Sequence, residues 1–375
     1  MRPWFDEQHE AFRREVQEFL QAHQVSEAFF HRTDPESWKG CEQLYRAAGE
    51  RGYLSLAWPE AMGGAGMSPA YEMILWDEFA YARAARPPFG VGIVAKAIIA
   101  AGTERQQRDL LPRIRSGEVH FALGYSEPEA GSDLTGLRTR AERHGDTYVV
   151  TGEKRWTSIG HVADYLWLLC RTGTQESRAR GLTVLIVDMR APGVTVRPIP
   201  VMDGERLNEV HLDHVEVPVA NRVGEENQGW AVISQSLAVE RHVQFPPRRL
   251  VRDLDDLVAW ARATGLAGDP LVQARLADLS VDVAAVQALS LMLLSAVEAG
   301  RPTVVEAAGN KLASTVLCQR LARAALELGG PESLVLGTQA EFLWRQSLCE
   351  TIGGGTSEIL RGVIARHRFG LQGTA

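Results

Sequence analysis

Cysteine is scarce and scattered. The 375-residue chain has four, Cys41, Cys170, Cys318 and Cys349, far apart and without metal-ligand spacing. That argues against a metal site and leaves buried thiols in a reducing compartment as the expectation. The opening stretch "MRPWFDEQHEAFRREV" lacks an apolar core of the secretory type, so no export signal is expected there. Long apolar runs are missing too. The most apolar stretch, "VDVAAVQALSLMLLSAVEAG" from Val281, is interrupted by Asp282 and Gln287. It reads as a buried helix rather than a membrane span, which needs about 20 apolar residues. There is no excess of positive charge: the formal net charge is −7, with both signs mixed along the chain, so a nucleic-acid partner is not expected. No fixed-period repeat or low-complexity tract occurs. A cytoplasmic protein is expected.

What is present is ordinary globular material, 45% hydrophobic and 23% charged, long enough for a large core and two or three domains. Periodicity divides it. Up to about Gly117 apolar residues recur at helical spacing, with Phe5, Phe12, Val16, Phe19 and Leu20 on one face. Ser68 and Pro69 form a plausible cap and first turn of another helix. From Phe121 to Val223 the period becomes two: "DTYVVTGEKRW", "YLWLLCRT", "LTVLIVDM" and "VTVRPIPV" read as strands. After "NQGW" the helical period returns. The expected organisation is α+β and multidomain: helices over 1–120, a β-domain over 121–224 and a helical bundle over 225–375.

Two places break the patterns. In "ENQGWAVISQSLAVERHVQF" a helix would put Trp230, Ile233, Leu237, Glu240 and Gln244 on one stripe, so Glu240 takes a core-facing position that leucine would normally fill. A carboxylate there either pairs with a cation such as Arg241 or stays partly protonated as a general base; both readings remain open. In "CETIGGGTSEILRGVIA" three glycines lead into Thr356 and a helix start. This is either a simple capped turn or a set of backbone N–H groups for an oxyanion or phosphate.

Taken together, "YSEPEAGSDLTGLRTRA", "GEKRWTSIG", "NQGW…LAVER" and "IGGGTSEILRGVIA", in this order and spacing, resemble the acyl-CoA dehydrogenases. "WPEAMGGAGMS" and "LLPRIRSGE" extend the resemblance over nearly the whole chain. It implies an N-terminal helical domain, a middle β-barrel-like domain and a C-terminal four-helix bundle enclosing FAD. It implies that Leu123, Tyr125, Ser126, Gly131 and Ser132 of the first loop and Trp156 and Ser158 of the second line the flavin, with Ser132 also near the thioester ligand. Thr356 and Glu358 would lie at the adenine-facing end.

The implied reaction is α,β-dehydrogenation of an acyl thioester, acyl-CoA or another: a carboxylate takes the α-proton while the β-hydrogen passes as hydride to flavin N5. Many members carry the base just before the "GT" pair, here Gly354, which has no side chain. Others carry it in the "ER" pair, where Glu240 stands, with Arg241 orienting the site and Gly354 and Gly355 offering backbone groups to the thioester. Two further departures concern assembly. Arg262 lacks its usual phenylalanine companion, and Leu326 stands where many members have glutamine, so the chain completes a neighbour's flavin site poorly. The resemblance therefore implies a homo-oligomer or a hetero-oligomer with a paralogue, as in bacterial relatives of which some act on steroid side chains. An electron-transferring flavoprotein would be the acceptor. Competing readings are an acyl-thioester oxidase, a dehydrogenase of carrier-protein-bound acyl groups, and a supporting subunit; a flavin monooxygenase is disfavoured by Glu240.

Overall fold

The structure, a computed structural model, describes residues 4–23, 35–204 and 206–371; for 35–37 and 235–241 it describes the backbone only. Helices α1 (Glu7–Ala22), α2 (Pro35–Glu50), α3 (Pro69–Tyr81), α4 (Ala95–Ala101) and α5 (Glu104–Arg115) come first. Strands β1 (Phe121–Gly124), β2 (Arg140–His144), β3 (Thr147–Lys154), β4 (Tyr165–Arg171), β5 (Leu182–Asp188), β6 (Val194–Pro200), β7 (Arg206–Pro218) and β8 (Arg222–Val223) follow. The chain ends in helices α6 (Gly229–Gln244), α7 (Arg248–Ala263), α8 (Pro270–Glu298), α9 (Val304–Gly329), α10 (Gln339–Glu350) and α11 (Ser357–Phe369). These pack as two bodies that interleave along the sequence. One takes Met1–Glu27, Pro69–Arg86 and Arg241–Ala375; the other takes Ala28–Ser68 and Pro87–Glu240.

In the first, all-helical body, Asp6 caps α1 through a reciprocal capping box with His9, and Phe12, Val16, Phe19 and Leu20 are buried, as their spacing predicts. Helix α3 starts at Pro69, where a missing N–H costs nothing. It is buried nearly all round, including Glu72, Asp77 and Glu78, so its carboxylates need partners. Arg13 reaches Glu78 at 2.6 Å and Arg248 reaches it at 3.0 Å. Leu250, Leu254 and Leu257 of α7, Leu279, Val283 and Val286 of α8 and Leu317 and Leu321 of α9 form one core. Helix α8 departs from the expectation of a buried helix. Its Leu279 side is in that core, but Val281 and Met292 are 69% and 56% exposed, because apolar residues occupy both faces and, among the described residues, only one is covered. By length and composition alone it is also apolar enough to cross a membrane.

The second body is built on an eight-stranded sheet in the order β6-β7-β3-β2-β4-β5-β8, with β1 parallel to β4. The four runs read from the sequence are β3 to β6. Strands β4 and β5 are buried almost throughout, which is why their sequences are nearly continuous apolar runs. Strand β7 escaped the reading because charged residues alternate with its apolar ones; its burial alternates accordingly. A register shift between Val150 and Gly152 interrupts the β3–β7 ladder. At Gly152 a Cβ would sit 2.5 Å from the Thr139 hydroxyl, so only glycine lets β3 pass the segment that enters β2.

Candidate functional site

The two loops singled out in the sequence meet in the sheet body. The first leaves β1 at Gly124 and the second leaves β3 at Lys154. The backbone N–H of Arg155 donates to the Ser126 carbonyl at 2.9 Å, which places Tyr125 and Ser126 beside Trp156. Beneath this contact lies a buried ion pair. Lys154 Nζ is 2.7 Å from Glu127 Oε1 and also donates to the Tyr125 carbonyl at 3.1 Å. The Glu127 carboxylate accepts the N–H groups of Arg138 at 2.6 Å and Thr139 at 2.9 Å. Burial alone would raise the Glu127 carboxyl, but the Lys154 ammonium and these donors outweigh it and hold it below the usual carboxylate range. Lys154 and Glu127 thus set where the first loop runs. Sequence reading overlooked them, although a lysine that must point inward from "GEKRW" was a signal.

The second loop is fixed from its other side. Thr157 N–H donates to the Asn208 carbonyl, and Asn208 Nδ2 donates back to the Thr157 carbonyl, both at 2.9 Å. The result is a left-handed backbone at Trp156, φ 63°, uncommon for a bulky residue and held only by such ties. The indole is 49% exposed, with the Arg155 guanidinium 4.8 Å from its ring centroid. Buried as it is, the Thr157 hydroxyl has no hydrogen-bond partner among the described residues, while Ser158, Ser126 and Leu123 are half-buried and Gly131 and Ser132 exposed. A Cβ on Gly131 would meet nothing within 4 Å. The loops therefore present an apolar ring face, several hydroxyls and a small-residue corner.

In the helical body the glycine turn lies between α10 and α11. Its N–H groups at Ile352 and Gly353 close on the Cys349 carbonyl, and Ser357 N–H donates to the Thr351 carbonyl. Gly354 and Gly355 have φ of 71° and 102°, where any side chain would be strained. Thr356 caps α11 through Ile359 N–H at 3.2 Å, and Glu358 is exposed in its first turn. Glu350, just before the turn, is held by Arg86 at 2.6 Å and Arg249 at 2.7 Å; burial opposes its ionisation, but the two guanidiniums hold it strongly acidic. The stripe expected on α6 is met at Ile233, which is buried, and not at Trp230, which is exposed. The side chains of Glu240 and Arg241 lie outside the described residues. Arg262 is exposed in the last turn of α7, and Leu326 is half-buried on α9.

Comparison with known proteins decides the family. Residues 6–118 match the acyl-CoA dehydrogenase N-terminal domain, 122–215 the middle domain and 227–369 the C-terminal domain. The chain belongs to the acyl-CoA dehydrogenase family. It is 36% identical to acyl-CoA dehydrogenase FadE26 of Mycobacterium tuberculosis, over 99% of both chains. Acyl-CoA dehydrogenase FadE29 of the same organism is 35% identical, over 86% of each. Among solved structures, the ChsE4-ChsE5 complex from Mycobacterium tuberculosis is similar with a TM-score of 0.90 and 34% identity, covering 100% of both chains. The Tcur3481-Tcur3483 steroid ACAD is similar with a TM-score of 0.91 and 31% identity, covering 99% of both.

The protein is therefore an oxidoreductase with the three-domain fold of this family, helical at both ends with a sheet domain between, and the family's cofactor is FAD. The loop pair fits that group. A flat ring needs an aromatic face, which exposed Trp156 offers, and its polar edge needs donors, which the unpartnered Thr157 hydroxyl and the neighbouring Ser126 and Ser158 can supply.

Proposed function

We propose that this chain catalyses α,β-dehydrogenation of an acyl-CoA with Glu240 as the base. The reading is carried by Gly354: the turn position used by many relatives for the base offers only backbone, at a φ of 71° suited to glycine, so the carboxylate must come from elsewhere, and Glu240 stands on α6 in an otherwise apolar pattern. Leu123, Tyr125, Ser126, Gly131, Ser132, Trp156 and Ser158 would hold the flavin, with Thr356 and Glu358 toward its adenine end. Bound FAD supplies a two-electron acceptor for the β-hydrogen, taken as hydride. Glu240 removes the α-proton, and the Gly354 N–H donates to the thioester carbonyl as negative charge develops there. Gly355, Ser132 and Arg241 position the thioester. The domain boundaries fall near Phe121 and Val223.

Assembly with a paralogue is part of the reading. It rests on Arg262, which lacks its usual phenylalanine companion, on Leu326, which stands where many members have glutamine, and on similarity to a structure described as a ChsE4-ChsE5 complex. A cytoplasmic setting suits its four cysteines, which form no disulfide with one another, and an electron-transferring flavoprotein is the proposed acceptor. The test is anaerobic mixing of the FAD-loaded protein, alone and co-expressed with a paralogue, with a panel of acyl-CoAs. Bleaching of the flavin absorbance by at least one acyl-CoA is expected; none from either preparation rejects the reading.

A further inference from the structure

Lysine has no obvious place inside "AAGNKLASTVL", yet Lys311 of α9 is fully buried. Its ammonium donates to the Gly355 carbonyl at 2.6 Å and lies 5.7 Å from the centroid of the Phe245 ring. Phe245 in turn borders the glycine turn: a Cβ on Gly354 would meet its ring at 3.7 Å. The turn is tied by its own backbone at both ends, at Ile352 and Gly353 on one side and Ser357 on the other. Between those ties stand Gly354 and Gly355, and glycine has the widest backbone freedom of any residue type. A charged donor on the Gly355 carbonyl fixes the plane of the following peptide. With Ser357 already held, that leaves Gly354 few orientations for its own N–H.

We propose that Lys311 is a positioning residue for thioester activation, pinning the Gly355 carbonyl so that the Gly354 N–H is aimed at the substrate carbonyl. This rests on the reading of Gly354 given above. The location supports a role beyond packing. Burying an ammonium is costly, and an apolar residue of similar length would fill the same space. A charge-assisted bond to a carbonyl is both stronger and more directional than packing.

The test uses the FAD-loaded protein and 3-(2-furyl)acryloyl-CoA, a conjugated thioester whose absorption moves to longer wavelength when its carbonyl is polarised. The unsubstituted protein should bind it with such a red shift. Lys311→Met should bind the same ligand with a smaller shift, and reduction of its flavin by a good acyl-CoA should be about 10- to 100-fold slower, the cost of misplacing a reacting group. A merely structural lysine would lower the melting temperature and leave the shift of the folded protein unchanged, and that result overturns the proposal. If Lys311→Met does not fold, Lys311→Arg replaces it: its longer, planar head displaces the carbonyl, so a smaller shift is again expected and an unchanged one again overturns it. No red shift in the unsubstituted protein would instead refute the role of the Gly354 N–H, and the positioning role with it.

Discussion

Lys154 and Glu127 form a buried ion pair, 2.7 Å apart, directly beneath the contact between the two loops. Neither side chain faces solvent, and each also holds backbone: Lys154 the Tyr125 carbonyl, Glu127 the N–H groups of Arg138 and Thr139. The pair is therefore a strut for the first loop. Breaking a buried pair on one side strands a charge and costs about 3–5 kcal/mol. Lys154→Met should lose that much in denaturant unfolding and should also release FAD on gel filtration. Lys154→Met combined with Glu127→Leu should recover part of the stability without recovering FAD, because the Tyr125 carbonyl loses its Lys154 anchor in both variants. A double variant that retains FAD like the unsubstituted protein would show that the pair serves stability alone.

Trp156 should behave in the opposite way. Its ring is half exposed, so little core is lost on truncation, and the left-handed backbone is held by Asn208 on the neighbouring residue rather than by the indole. Trp156→Ala is expected to keep a melting temperature within a few degrees of the parent, since surface substitutions typically change stability by about 0.5 kcal/mol or less. Its FAD affinity should fall by about tenfold, as one aromatic contact contributes roughly 0.5–1.5 kcal/mol beyond burial. Trp156→Phe should lie between. Equilibrium titration of the apoprotein with FAD measures all three.

How legible this was from sequence depends on what each residue does. Strands β3 to β6 could be read because β-branched and aromatic runs bounded by glycine and proline need no partner to be recognised. Strand β7 could not: its charged residues are the outward half of an alternation that only pairing with β3 and β6 makes plain. Trp156 stood out as a lone aromatic among hydroxyls, and the Arg155 N–H bond to the Ser126 carbonyl brings it beside Ser126. Lys154, Glu127, Asn208 and Lys311 act through single hydrogen bonds to backbone carbonyls and N–H groups distant in sequence. Such bonds leave no periodicity, and for Lys154 and Lys311 the only trace was a charged residue in an apolar or small-residue context. The apolar outer face of α8 was missed for the converse reason. Periodicity reports that a face is apolar, not whether the chain itself covers it.

Stability should also carry the mark of Asp77 on α3. Burial pushes its carboxyl from 3.8 up to about 7, against the N–H of Arg248 and the charges of Arg13 and Arg248, which act to lower it. Between those two values the unfolded chain has lost the proton and the folded one keeps it. Unfolding is then favoured as pH rises, so this carboxyl's contribution is fully present below about pH 4 and is lost through pH 7. Asp77→Asn cannot ionise and keeps an acceptor for the Arg248 N–H, 3.4 Å away. Relative to the parent it should gain stability from pH 4 to pH 7 and level off above. A parallel pair of stability–pH curves would mean that folding does not shift the Asp77 carboxyl.

Glu240 carries the chemical step in the proposed mechanism, and Glu240→Gln isolates it. Glutamine keeps the size and removes the proton acceptor. General base catalysis contributes about 10²–10⁴-fold, so single-turnover flavin reduction by a good acyl-CoA should slow by at least about 100-fold. Flavin content and melting temperature should hardly change, because glutamine matches glutamate in size and carries no charge to bury. An ion-pair role for Glu240 with Arg241 predicts the reverse: a lower melting temperature, and a folded fraction that reduces its flavin at nearly the parent rate. That second pattern would take Glu240 out of the mechanism. With glycine at the alternative position in the turn, the motifs would then offer no other evident base, and the role of a supporting subunit would account for the chain better.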